Sequence, residues 1–173
     1  PYKNNGFTLA EVLITLVIIG VIAAITIPSL IAKYQKEQTV TRLKKAYSSL
    51  AQTTQRAIAD NGPITTWEVG QAGNGNDVHI FFEKYMKPYL SISKDCGIQT
   101  SGTCEFKYAF LNNNTNPGSL GSNNSRFYLQ DGSLIALSIL KSDGFTRVGV
   151  HIDVNGQKKP NVIGKDIFVY MYI

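Results

Sequence analysis

The sequence predicts an α+β fold in which one long N-terminal helix, apolar in its first half and amphipathic in its second, packs on a small antiparallel sheet. Three observations carry this. From Phe7 to Ala32 the run FTLAEVLITLVIIGVIAAITIPSLIA holds a single charged residue, Glu11. Further on, Val40, Leu43, Tyr47, Leu50, Thr54 and Ala57 recur at helical steps of three and four, which puts them on one face. In the last third, FYLQ, SLIALSIL, FTRVGVHIDV and DIFVYMYI are β-branched and aromatic runs separated by Asp131-Gly132, Asp143-Gly144 and Asn155-Gly156. Such dipeptides accept the positive φ of tight hairpin turns.

Taken in order, residues 1–6 (PYKNNG) read as a short polar leader, 7–32 as a membrane-competent segment and 33–173 as a soluble head. The apolar run spans roughly 39 Å as a helix, enough to cross a bilayer. It is too long for the apolar core of a secretory signal peptide, and no small-x-small cleavage site follows it. No strong breaker lies between Ile31 and Asp60, so one helix is expected from about Phe7 to Ala59, with 33–59 its amphipathic part. Asp60-Asn61-Gly62-Pro63 ends it, and Gly20 and Pro28 are expected to weaken or kink its first half. DVHIFFEKYMKPYL reads as a short helix capped by Asp77 and ending near Pro88, and EFKYAFL (105–111) as an extra strand. LNNNTNPGSLGSNNSR is poor in apolar residues and reads as an exposed loop. Its sequons, Asn113-Asn114-Thr115 and Asn123-Asn124-Ser125, are chance loop composition on this reading.

The net charge of +5 is concentrated in the stem, where Lys33, Lys36, Arg42, Lys44, Lys45 and Arg56 face Glu37 alone. From Asp60 onward acids and bases balance. A basic stem beside a membrane segment fits lipid headgroups or acidic neighbours better than nucleic acid, which a basic and aromatic face on the head would serve. Cys96 and Cys104 are the only cysteines and flank the turn-rich GIQTSGT. A local disulfide in an oxidising compartment is the favoured reading. The competing metal pair needs two further ligands, and His79 and His151 show no ligand-like spacing in the sequence. The positive-inside rule opposes the cysteines on topology, since the basic flank follows the apolar run. The cysteines carry more weight, because the chain opens on Pro1 rather than Met and basic leader residues would lie ahead of it.

Gly6-Phe7-Thr8-Leu9-x-Glu11-Val12-Leu13-Ile14, followed by about twenty apolar residues with Pro28 at the far end, resembles type IV pilins and the pseudopilins of type II secretion. The resemblance covers about the first third of the chain. It implies a pilin-like fold and cleavage of the Gly6–Phe7 bond by a membrane prepilin peptidase. Glycine suits the residue before a cut, since a side chain there would obstruct approach to the backbone. The resemblance also implies N-methylation of Phe7, and assembly through Glu11 and Pro28 into a polymer with other pilin-like subunits. An unpaired carboxylate in hydrocarbon costs roughly 2.5 kcal/mol or more. In the family it pairs with the new Phe7 amine of a neighbouring subunit. The bland alternative places Glu11 at headgroup level. With PYKNNG still attached, the chain reads as a precursor.

An inner-membrane assembly platform, and the bilayer itself before assembly, are further partners the resemblance implies. The chain would be single-pass, with its head outside the cytoplasm, destined for a periplasmic pseudopilus or a surface pilus. Asp153, Asn155 and Asp166 could offer oxygens to calcium, as a C-terminal loop of the major pseudopilin does. Lys158 and Lys159 oppose a dication, so a hairpin turn at Asn155-Gly156 with a polar connection held by Pro160 is preferred. No GxSxG, HExxH or P-loop spacing occurs. The expectation is therefore a structural subunit with no cofactor, no metal and no catalytic residue. A minor pilin whose head binds DNA or a surface ligand, and an unrelated single-pass membrane protein, are the competing readings.

Overall fold

The computed structural model describes residues 6–98, 102–111, 118–120 and 123–172. The leader before Gly6, the sequon at 113–115 and Gly121-Ser122 of the polar loop lie outside the described residues. Two compact units meet between Gln38 and Thr39, and helix α1 (Leu9–Asn61) contributes to both.

In the first unit, α1 is unbroken at Gly20 and at Pro28. Pro28 removes one backbone donor without ending the helix. Thr26 Oγ1 donates to the Ile22 carbonyl and Ser29 Oγ to the Thr26 carbonyl, each at 2.9 Å. Hydroxyls turned back on the main chain suit a segment that lacks water to bond to. The large apolar side chains from Phe7 to Ile31 are all exposed.

The second unit holds the head. The helix ends where Gly62, at φ +82°, donates its N–H to the Ile58 carbonyl at 2.9 Å, a left-handed stop that glycine supplies at no steric cost. Helix α2 spans Gly75–Tyr85. Its cap is Asn74, whose side chain accepts from the N–H groups of Asn76 and Asp77, rather than the expected Asp77. Asp77 sits in the first turn and reaches back to the Gln71 N–H at 2.7 Å.

Strands β1 (Ile92–Gly97), β2 (Lys107–Tyr108), β3 (Gly118–Ser119), β4 (Asn124–Leu129), β5 (Leu134–Ser142), β6 (Phe145–Asp153) and β7 (Ile167–Tyr172) follow. Five form one antiparallel sheet in the order β1-β4-β5-β6-β7, and β2 pairs with β3. The fold is thus α+β, a long N-terminal helix with a small antiparallel sheet, as the sequence predicts. Asp143 and Gly144, both at positive φ, close the β5–β6 hairpin directly, with Ser142 paired to Phe145.

Alternation along β5 builds two cores. Ile135, Leu137 and Ile139 face a core shared with Ala46, Leu50 and Ala57 of α1 and with Val78, Phe81, Phe82 and Tyr85 of α2. Leu134 and Ala136 face the opposite side, with Phe106 and Ile167. Phe82 stacks on Phe127 with centroids 4.4 Å apart.

The buried face of α1 differs from the expected stripe. Ala46, Leu50, Thr53 and Ala57 are buried, whereas Val40 and Tyr47 are exposed. Small residues let the helix axis approach the sheet, so the larger Tyr47 is displaced to the rim, 6.0 Å from the Tyr170 ring.

Cys96 and Cys104 form a disulfide with Cα atoms 5.9 Å apart, both side chains buried. By loop-closure entropy a loop of this length contributes on the order of 2–3 kcal/mol. Replacing both cysteines by serine is expected to lower the head's melting temperature by roughly 5–10 °C, read by circular dichroism. An unchanged melt would show that the bridge is not a staple.

Candidate functional site: the processing and assembly segment

Gly6, Phe7 and Thr8 precede the first helical residue, Leu9, and are exposed, Phe7 at 89%. The Gly6–Phe7 bond therefore lies in non-helical, accessible chain, the form a protease can bind. A Cβ built on Gly6 meets nothing within 4 Å, so no packing in the described chain demands glycine there.

Thr8 and Glu11 close the helix start reciprocally. The Thr8 N–H donates to Glu11 Oε2 at 2.8 Å, and the Glu11 N–H donates to Thr8 Oγ1 at 3.3 Å. The Thr8 hydroxyl adds a bond to the same Oε2 at 2.9 Å. This is a capping box, which satisfies two donors that a helix start otherwise leaves open. The Thr8-x-x-Glu11 spacing carries that signal in the sequence, beside the charge of Glu11. Because the box begins at Thr8, it would persist after a cut at Gly6–Phe7. Glu11 is therefore hydrogen-bonded yet remains exposed. Pro28, the other assembly residue the resemblance implies, is exposed within α1.

The remaining candidates fall elsewhere. Asp166 accepts the main-chain N–H groups of Asn161 at 2.8 Å and Val162 at 2.6 Å, and the Asn155 amide at 3.1 Å. Asp153 accepts the Asn155 N–H at 3.1 Å. These two carboxylates organise the connection from β6 to β7, where a turn at Asn155-Gly156 follows β6 and a polar stretch through Pro160 leads on to β7, as expected. A Cβ on Gly156, at φ +69°, would lie 2.8 Å from the Gly132 carbonyl, so glycine serves a close backbone approach there. Burial pushes the Asp153 carboxyl up to about 8, against the pull of the Asn155 N–H and with added repulsion from Asp166. His151 is flanked by the Phe106 ring, with centroids 6.2 Å apart, and burial lowers its basicity.

An apolar helix with a capped start three residues after a glycine fits the type IV pilin-like prepilin class. Residues 1–27 match the prokaryotic N-terminal methylation motif. Residues 29–173 match the family of unknown function DUF6613, and the chain belongs to that family. No curated protein and no solved structure matches it. The motif implies processing by prepilin peptidase, membrane anchoring through α1 and polymerisation with pilin subunits. Among the described residues, α1 is the one helix long and apolar enough to cross a membrane.

Proposed function

We propose that the chain is a structural, non-enzymatic subunit of a type II secretion pseudopilus or a type IV pilus. Prepilin peptidase cuts Gly6–Phe7, Phe7 is N-methylated, and the subunit waits in the inner membrane as a single-pass protein with residues 33–173 outside the cytoplasm. Polymerisation then withdraws the apolar half of α1 into the filament, where Glu11 meets the Phe7 amine of a neighbour.

One observation carries this reading: an apolar helix of membrane-spanning length begins three residues after a glycine that no packing in the described chain demands. Large exposed apolar surface calls for a lipid or protein partner, and a bilayer followed by a filament core supplies both. The Cys96–Cys104 bridge supports a head on the oxidising side of the membrane. The exposed lysines of the stem suit headgroups or acidic neighbouring subunits.

The test is co-expression with a prepilin peptidase, read by intact mass. Wild type is expected to lose the leader and gain one methyl group on Phe7. Gly6→Val is expected to remain full length. Failure of wild type to shorten would refute the reading in favour of an unrelated membrane protein.

A further inference from the structure

The head carries a second constellation, apart from the N-terminal motif and the apolar part of α1. His79 and Glu83 are one turn apart on α2, with Nε2 3.6 Å from Glu83 Oε1. Pairing of β1 with β4 brings Asp95 alongside. One ligand atom from each of the three residues lies within 4.8 Å of the others. In the sequence His79 had no ligand-like neighbour, because one partner is revealed by helical spacing and the other only by strand pairing.

We propose that His79, Glu83 and Asp95 form a binding site for a divalent first-row metal ion, zinc being the best fit to one imidazole and two carboxylates. Ligand atoms around a tetrahedral ion lie roughly 3.4 Å apart, so partly exposed side chains need draw in only slightly.

Three features support the assignment. First, His79 Nδ1 is 3.0 Å from the Oγ of Ser125, which is fully buried on β4. In the tautomer that donates from Nδ1, the ring is fixed with its Nε2 lone pair toward the two carboxylates. A hydrogen bond from the far nitrogen is how metal-binding histidines are oriented. Second, a cation already occupies the cluster: the Lys87 ammonium bonds Asp95 at 2.7 Å and also bonds Glu83. Two carboxylates around one ammonium leave a negative charge that a dication removes. Third, Lys87 is 38% exposed on a flexible stem, so it can swing to solvent when displaced. Imidazole in the donor set favours zinc, cobalt or nickel over calcium and magnesium. Three protein ligands leave a position for water or for a side chain of another molecule.

The test uses the untagged full-length chain in detergent, stripped of metal and titrated with cobalt(II) chloride, then with zinc chloride as competitor. Wild type is expected to take up one equivalent of cobalt with visible d–d absorption that zinc abolishes. His79→Ala and Asp95→Asn are expected to lose that signal. Ser125→Ala, which acts only through the histidine, is expected to bind about tenfold more weakly. Lys87→Met removes the competing cation and is expected to bind at least about tenfold more tightly. This gain cannot arise from misfolding. No stoichiometric uptake by wild type, equal affinity in His79→Ala, or no gain in Lys87→Met would each overturn the proposal.

Discussion

Glu11→Gln is expected to leave the head folded and the leader removed, while filament yield falls more than about tenfold. The residue has two separable duties. Its carboxylate caps the helix start through Thr8, and on our reading it pairs with the Phe7 amine of a neighbour. Glutamine keeps an acceptor for the Thr8 N–H, as capping boxes permit, but carries no charge. On that reading the neighbour's buried amine would be left without its mate, and removing one partner of a buried pair is strongly destabilising. Glu11→Ala removes both duties and is expected to assemble as poorly as Glu11→Gln. Thr8→Val breaks the box and retains the charge, at about 1 kcal/mol for the helix end. It should assemble nearly as well as wild type. The measurement is the sheared filament fraction normalised to membrane-held, processed subunit. Normal filaments from Glu11→Gln would show that capping suffices and that no charge pair drives assembly.

What could be read in the sequence follows the range of the forces involved. The membrane-length run was legible because every side chain in it states its preference alone. The tight β5–β6 hairpin was legible because Asp143 and Gly144 must both adopt positive φ, a local demand. Strand β1 was missed. Ser93, Lys94 and Asp95 are polar and exposed, and the strand is bulged against β4, so neither alternation nor β-propensity marks it. The register of the α1 face was misjudged by about one residue, because Ala46 and Thr53 carry little hydrophobic signal yet permit the closest approach. The turn after β6 was legible from Asn155-Gly156, whereas the anchor of the rest of the connection, Asp166, was not, because it acts through main-chain groups several residues back. At the N-terminus, Gly6, Phe7 and Glu11 were legible because they belong to a linear motif, which residues 1–27 match. The His79–Glu83–Asp95 cluster was not, since Asp95 reaches it only through β1–β4 pairing.

The second large effect concerns Asp153. Asp153→Asn is expected to make the head's stability much less sensitive to pH between 4 and 8. The wild-type carboxyl is raised to about 8 from its ordinary 3.8, chiefly by burial. Below pH 4 folded and unfolded chains both hold the proton and the group contributes nothing. As pH rises the unfolded chain releases it while the folded chain keeps it, so stability falls by about 1.4 kcal/mol per pH unit. The loss is complete above pH 8, where both forms are ionised, and amounts to roughly 6 kcal/mol at most. Asparagine retains an acceptor for the Asn155 N–H and stays neutral, so the variant's advantage should grow steadily from pH 4 and level off above 8. Denaturant melts in chelator across pH 5–9 measure this, with no divalent cation present to mask the charge. Wild-type and variant curves that run parallel across that range would mean that the folded chain accommodates an ionised Asp153. The carboxyl would then behave as an ordinary surface acid despite its burial beside Asp166.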